Sequence, residues 1–133
     1  MEQWGRRAVP TDQKAIPKAG WHEYLQWLLG HRRRFVVREM SMMPTLLPGD
    51  TVLAEMDAAV KVGDVAIASH PTQPDILLIK RIQDIFYDGG VYLISDNTEE
   101  ISAQDSRHFG VFAANQIHGR VTSHLASPPG RTL

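Results

Sequence analysis

The sequence predicts a mainly β protein, an antiparallel barrel or sandwich preceded by one short amphipathic helix. Short runs rich in valine, isoleucine and leucine follow one another from Phe35 onward, and such runs are typical of strands. Glycine, proline and aspartate separate them, as in Pro48-Gly49-Asp50 and Asp88-Gly89-Gly90. Many short strands with such turns favour an antiparallel sheet system. The predicted strands are FVVREM, DTVLAEM, DVAIAS, ILLIKRI, VYLIS, GVFAA and QIHGRVTSH.

The chain has 133 residues, a length that suits a single domain. An amphipathic helix is predicted before the strands because Trp21, Leu25 and Leu28 fall at helical spacing. The run Arg32–Arg34 ends this helix, where cations suit the helix dipole. The predicted segments are an extended or flexible arm (1–19), the helix (20–34), a β domain (35–125) and a disordered tail (126–133).

The overall composition excludes several classes of function. The chain contains no cysteine, which removes disulfides, thiolate zinc sites and a cysteine nucleophile. Its six histidines form no close pair with metal-ligand spacing, so we expect no metal and no cofactor. The formal net charge of −1 gives no overall attraction for nucleic acid. No apolar run approaches the roughly 18 residues that span a bilayer, and the N-terminus lacks the apolar region of a signal peptide. We therefore expect a soluble intracellular protein.

One lysine occupies an unusual position on the predicted strand ILLIKRI. Strand alternation places Lys80 on the same face as Ile76, Leu78 and Ile82, so its side chain projects from an otherwise aliphatic surface. Burial away from water disfavours the ammonium form of a lysine, and a neutral amine is a usable general base near neutral pH. The alternative is a lysine that extends along a buried strand and keeps its amine in water.

A serine lies in an equally unusual setting, within EMSMMPTLLPGD at residues 39–50. Three flexible, apolar methionines surround Ser41, and methionines of this kind suit an irregular apolar pocket. A serine hydroxyl is a poor nucleophile until a base takes its proton. A Ser-His-Asp triad has no support from a G-x-S-x-G motif, which the chain lacks. A loop serine with a locally bonded hydroxyl is the simpler alternative.

Four blocks in a fixed order resemble the conserved segments of type I signal peptidases. Together they run from about Val36 to Val121 and cover nearly all of the β region. Self-cleaving SOS-response repressors share the same serine–lysine chemistry on a related fold. The blocks are Ser41-Met42-x-Pro44-Thr45-Leu46 with Gly49-Asp50, then Gly63-Asp64-Val65, then Lys80-Arg81-Ile82, and finally Ser95-Asp96-Asn97 with Asp105-Ser106-Arg107.

The resemblance implies a serine endopeptidase with a signal peptidase-like β fold and a Ser/Lys dyad. Ser41 is then the nucleophile and Lys80 its general base, while the backbone amides of Ser41 and Met40 form the oxyanion hole. Ser102 is the candidate for orienting the lysine. The other implied roles are a site wall of Met42, Met43 and Pro44, and structural ion pairs of Arg81 with Asp96 and of Asp105 with Arg107.

The chain departs from the family pattern at three positions. Glu39 stands two residues before Ser41, where signal peptidases often carry a serine that assists the oxyanion hole. Ala103 occupies the usual place of the lysine-orienting serine, and Ser102 lies one residue earlier. Ser95 replaces the usual glycine before Asp-Asn. The sequence leaves open which way Glu39 points and whether Ser102 reaches Lys80.

Within that family, the chain most resembles the anchorless maturation proteases of nickel-type superoxide dismutase. His70-Pro71 and the late segment from Asp105 to Gly110 are similar to motifs of that subgroup. The resemblance implies a cytoplasmic enzyme that removes a short N-terminal propeptide from the dismutase precursor, by acyl-enzyme chemistry. Nickel then belongs to the substrate.

Other functions stay open at this point. A membrane-associated signal peptidase or a non-catalytic peptide-binding module could use the same fold, with Glu39 as a sign of lost catalysis. The aromatic residues of segment 20–34 could contact a membrane or the precursor, although we favour a helix packed on the β core. Nucleic-acid binding through Arg32–Arg34 has little support, because no aromatic residues interleave with the arginines.

Overall fold

Six strands and two short α-helices make up the part of the chain that the structure describes. The structure is a computed structural model, and it describes residues 14–99 and 104–128. A turn of 3-10 helix, Ala114–Gln116, precedes the last strand. The elements in chain order are α1 (Trp21–Leu28), β1 (Arg33–Val36), β2 (Thr51–Met56), β3 (Val65–Ser69), β4 (Leu77–Ile85), β5 (Val91–Ile94), α2 (Ser106–Phe109) and β6 (Ile117–Ala126).

The strands form one antiparallel sheet in the order β1-β2-β6-β3-β4-β5. Each neighbouring pair is antiparallel, so the prediction of a mainly β, antiparallel fold is confirmed. The sixth of the seven predicted strands, GVFAA, is wrong as a full strand. Only Phe112 pairs there, in an isolated bridge with Val91, and the chain then turns into the 3-10 helix before β6.

Two apolar clusters lie on opposite faces of β3. Val65 and Ile67 pack into the first cluster, whereas Ala66 and Ala68 pack into the second. This alternation follows from the two-residue period of a strand, and it makes β3 buried on both faces. The first cluster contains Val37, Met42, Leu46, Val52, Ala54, Val65, Ile67 and Val121. The second contains Ala66, Ala68, Leu78, Ile82, Val91, Leu93 and Phe112.

Helix α1 is shorter than the predicted segment 20–34. Gly30 has φ of 84°, a left-handed conformation that glycine adopts without steric cost. The amides of Gly30 and His31 turn back to the carbonyls of Trp27 and Gln26, which is the usual helix-ending pattern around such a glycine. The last two arginines of the 32–34 run therefore lie in β1 and not at the helix C-terminus.

The expected packing of this helix on the β core is also wrong. None of the residues of α1 is buried, and Trp21 and Leu28 are 79% and 83% exposed. Glu23 makes the polar attachment instead, since its carboxylate accepts hydrogen bonds from Thr122, Ser123 and Arg32. Among the described residues, no helix combines the length and the apolar character needed to cross a bilayer.

The predicted terminal segments fall partly outside the described residues. Residues 1–13 and 129–133 lie outside them. The end of the predicted arm is ordered against β6, where the Ala19 amide donates to the His124 carbonyl and the His124 amide donates to the Pro17 carbonyl. Strand β6 itself runs to Ala126, one residue into the predicted tail.

Candidate active site

The loop between β1 and β2 carries Ser41 and is anchored in the first apolar cluster. Met42 and Leu46 are both buried there, directly after the serine. The ends of the loop are joined by two backbone hydrogen bonds, from Val37 N to Asp50 O (2.8 Å) and from Gly49 N to Val37 O (2.7 Å). A closed loop with buried anchors holds the serine at a defined place on the protein.

Lys80 lies on β4 and is fully buried, with 0% of its surface exposed. Its strand neighbours on the same face, Leu78 and Ile82, belong to the second apolar cluster, and its partner across the ladder is Ala66. The Lys80 Nζ atom lies 2.8 Å from Ser41 Oγ. The pairing of β3 with β4 thus brings the amine of one predicted site residue against the hydroxyl of the other.

In the described part of the chain, the side chains of Ser95 and Glu39 also face the Lys80 amine. Ser95 Oγ lies 3.3 Å from Nζ, and the nearer carboxylate oxygen of Glu39 lies 3.9 Å from it. Glu39 therefore points toward the lysine, which answers the question that the sequence left open. A nearby carboxylate favours the ammonium form, whereas burial opposes it. Because Glu39 is 63% exposed, water screens its contribution.

The residue after the lysine forms a buried ion pair. Arg81 and Asp96 are 1% and 0% exposed, and Nη2 of the arginine lies 2.6 Å from a carboxylate oxygen. The arginine also donates to the Gly63 carbonyl at 2.8 Å, and the Thr45 hydroxyl donates to Asp96. This network ties the Ser41 loop, the turn before β3 and the segment after β5 to one another.

Asp105 lies fully buried behind Ser95. Burial is the largest single influence on its pKa and opposes ionisation, but hydrogen bonds from Arg107 and Ser95 together lower the pKa below its ordinary value. The Arg107 guanidinium lies 2.8 Å from the carboxylate and is itself half exposed. Asp105 also caps α2 through the Arg107 amide, so one carboxylate supports both a helix start and the segment beside Lys80.

Asn97 holds the backbone of Ser41 and of the residue before it through two hydrogen bonds. Its side-chain amide donates to the Met40 carbonyl at 2.9 Å, and its backbone amide donates to the Ser41 carbonyl at 2.8 Å. The sequence pattern indicated no role for Asn97, and Ser95 was noticeable only as a departure from the family pattern. Both residues flank Asp96 in the motif Ser95-Asp96-Asn97, which is the signal that could have placed them at the site.

The proposed site wall is only partly in contact with the serine. Met42 is buried and lines a cavity together with Ser41. Met43 is not among the residues that line this cavity, and Pro44 is exposed. The candidate lysine-orienting residue, Ser102, lies outside the described residues.

A groove of about 530 Å³ opens beside Ser41. One side consists of residues 33–39, and the other consists of residues 75–79 at the start of β4. Both sides are strand edges. Strand β1 is the outer strand of the sheet, and Leu77–Ile79 pair only with β3, because the β5 ladder starts at Arg81. The groove is therefore bounded on each side by a strand with one unpaired edge among the described residues.

The segments His70-Pro71 and Asp105–Gly110 meet in space. The rings of His70 and Phe109 pack edge to face with centroids 4.9 Å apart, and His70 contacts the Gln104 side chain. His70 is buried. The contact ties the turn after β3 to α2.

The antiparallel fold and the buried contact between a serine and a lysine are the features expected of a peptidase of the serine type. A family model described as Peptidase S24-like matches residues 28–122, more than half of the chain. The chain belongs to the Peptidase S24-like family, so the prediction of a serine peptidase is confirmed at that level, and a protein substrate follows from the class. A search among curated proteins found no match.

Proposed function

We propose that the protein is a serine endopeptidase in which Ser41 is the nucleophile and Lys80 is the general base. The observation that carries the proposal is the 2.8 Å contact between Ser41 Oγ and the amine of a lysine with no exposed surface. A serine hydroxyl needs a base within hydrogen-bond reach. Removal from water disfavours the ammonium form of a lysine, so the buried position suits an amine that must accept a proton.

The reaction proceeds in two halves. Ser41 Oγ attacks the scissile carbonyl carbon while its proton passes to Lys80 Nζ, and the resulting ammonium then gives that proton to the leaving amine. An acyl-enzyme on Ser41 is left. Water attacks the ester with Lys80 again acting as base, which releases the new carboxylate and restores the serine hydroxyl.

The oxyanion of each tetrahedral intermediate requires hydrogen-bond donors, and we assign them to the backbone amides of Ser41 and Met40. The support comes from Asn97, which holds the Met40 carbonyl. The C=O and N–H groups of a trans peptide point in opposite directions. Holding the Met40 carbonyl toward Asn97 therefore directs the Ser41 amide away from Asn97, in the opposite direction within that peptide plane.

The groove suits a substrate in extended conformation. A peptide that lies between residues 33–39 and 75–79 can pair with exposed strand edges, a mode in which backbone hydrogen bonds supply much of the affinity. Ser41 lies in the lining of this groove. The scissile bond of such a peptide therefore passes beside the nucleophile.

The particular substrate we propose is the precursor of a nickel-type superoxide dismutase, whose N-terminal propeptide the enzyme removes in the cytoplasm. The support is the similarity of His70-Pro71 and of the segment from Asp105 to Gly110 to the maturation proteases of that dismutase. The contact between His70 and Phe109 gives these motif residues a shared structural position. Nickel belongs to the substrate in this proposal.

Co-expression with the precursor tests both parts of the proposal. We expect Ser41→Ala and Lys80→Ala each to abolish cleavage, and Lys80→Arg to fail as well, because a guanidinium does not give up its proton. Mass spectrometry of the precursor measures the cleaved fraction and locates the cut, and circular dichroism verifies the fold of each variant.

The matched control is Lys61→Ala, which removes an exposed lysine and should leave cleavage unchanged. Full activity in a Lys80 variant would contradict the dyad. Cleavage of a generic unfolded peptide but not of the dismutase precursor would reject the substrate and retain the peptidase. Binding of the precursor without any product would favour the non-catalytic module.

A further inference from the structure

Ser95 is a buried serine at the proposed active site. The sequence pattern indicated no chemical role for it. It directly follows β5, and it is 4% exposed. Its hydroxyl oxygen makes two contacts: Lys80 Nζ at 3.3 Å and Asp105 Oδ2 at 2.9 Å. Ser95 thus connects the proposed base to a buried carboxylate. It is not among the residues that line the groove.

The direction of these hydrogen bonds follows from Asp105. The Arg107 guanidinium binds its carboxylate through both Nε and Nη2, and the Ser95 amide donates to it as well. These donors hold Asp105 in its charged form, in which it can only accept hydrogen bonds. The proton of the Ser95 hydroxyl must therefore point at Asp105. Only lone pairs of Ser95 Oγ remain to face the lysine.

We propose that Ser95 is a positioning residue for Lys80, and that it restricts the rotation of the amine through a hydrogen bond that it can only accept. The inference rests on the proposed function. Ser95 accepts a hydrogen bond from one N–H of Lys80, whether the amine is neutral or charged. In the neutral form this leaves the amine lone pair free to turn toward Ser41 Oγ, which is 2.8 Å away and supplies the proton.

The same contact stabilises the ammonium that forms when Ser41 attacks. Asp105 polarises the Ser95 hydroxyl, so its oxygen is a better acceptor for a charged donor. Among the described residues, the groups that face Lys80 include the hydroxyls of Ser41 and Ser95 and the Glu39 carboxylate at 3.9 Å, and Asp105 accepts the Ser95 hydroxyl hydrogen bond. Of the two carboxylates, Glu39 is mostly exposed, whereas Asp105 is fully buried and its charge is compensated by the Arg107 guanidinium.

The test is the pH–rate profile of Ser95→Ala with a cleavable precursor peptide. We expect kcat to fall roughly tenfold to a hundredfold, the range for loss of a hydrogen bond to a charged group, while KM stays unchanged. The acid limb of the profile should move to lower pH, because the ammonium form loses an acceptor. Ser95→Thr, which restores a hydroxyl, should recover part of the rate and return the limb toward its original position.

A second measurement needs no substrate. The chain has four lysines, so the side-chain carbon signals of labelled lysine can be followed by NMR, with Lys80→Arg identifying the Lys80 signal. We expect the titration midpoint of Lys80 to fall in Ser95→Ala. Glu39→Gln should lower it less, since that carboxylate is exposed.

Ser106→Ala is the matched control. Ser106 is as buried as Ser95 and accepts a hydrogen bond from the Leu93 amide at 2.8 Å, so its loss weakens the same region without touching Lys80. The control should leave the acid limb and the lysine midpoint in place. If Ser95→Ala gives a profile and a midpoint that superimpose on those of the wild type, Ser95 has no positioning role, although the dyad still stands. If the wild type cleaves nothing while the midpoint shifts, the contact stands and the proposed function fails.

Discussion

At the scale of single residues, ion pairs that look alike in the sequence differ in how far they are removed from water. The Arg81–Asp96 pair is removed from water on both sides, whereas the Lys61–Asp64 pair has a lysine that is 68% exposed. An exposed pair contributes about 0–1 kcal/mol to stability. Removing one partner of a buried pair leaves an uncompensated charge inside the protein, which costs far more.

We therefore expect Asp96→Ala to lower the free energy of unfolding by about 3–5 kcal/mol, because the Arg81 guanidinium would stay buried without its carboxylate. Denaturant unfolding at neutral pH measures the change. Lys61→Ala is the control and should shift the same quantity by less than about 1 kcal/mol. Comparable losses in the two variants would show that Arg81 finds water or another acceptor after the substitution.

At the scale of elements, α1 is attached to the sheet by one carboxylate and not by an apolar face. Burial is the largest influence on the pKa of Glu23 and raises it. Hydrogen bonds from Thr122 and Ser123, together with Arg32, outweigh burial and leave the pKa lowered. A carboxyl group whose pKa is lowered by folding contributes stability above its unfolded pKa and loses it as the pH falls through the folded value.

The attachment of α1 should accordingly weaken in acid and in the variant Glu23→Gln. At pH 7 we expect amide hydrogen exchange in residues 21–28 to be roughly tenfold faster in the variant than in the wild type. As the pH falls below the ordinary glutamate range, about 4.3, and through the lowered pKa of Glu23, this ratio should approach one, because the wild-type carboxyl then becomes protonated too.

Taking the ratio at each pH removes the intrinsic pH dependence of exchange. Glu55→Gln, in the partly exposed pair with Arg120, is the control and should leave exchange in α1 unchanged. A ratio that is constant across the pH range would mean that the Glu23 charge does not hold the helix.

At the scale of the whole molecule, the groove exists because two strand edges end beside the same serine. The sheet order leaves β1 at one border, and β5 starts its ladder only at Arg81. The start of β4 is left open as a result. Such edges usually invite unwanted pairing, and here they face the proposed site.

If the substrate adds to these edges, its backbone amides should matter as much as its side chains. We expect N-methylation of a precursor peptide within the segment that fills the groove to raise KM roughly tenfold, since it removes a donor and adds bulk. Alanine at the same position is the control for lost side-chain contacts. Methylated peptides that are cleaved with unchanged KM would argue against strand addition.

Much of the fold was predictable because strand patterns are local. The alternation along ILLIKRI placed Lys80 with Leu78 and Ile82, and these neighbours do pack in one apolar cluster. The predicted helix was too long because the positive charge of the arginine run was assigned to the helix C-terminus. In the structure Gly30 ends the helix, and the chain continues into β1. The segment GVFAA has strand composition, but only Phe112 finds a bridge partner.

The sequence by itself determined the class of the protein: the order of the blocks, the strand periodicity and the aliphatic face around Lys80 are all properties of neighbouring residues. Only the tertiary structure decided what touches the lysine. The loop with Glu39 and Ser41 reaches its amine from one part of the chain, and Ser95 reaches it from another. Those contacts depend on how strands pair and loops close. Residue type limits which hydrogen bonds a side chain can make, but long-range packing selects the partner.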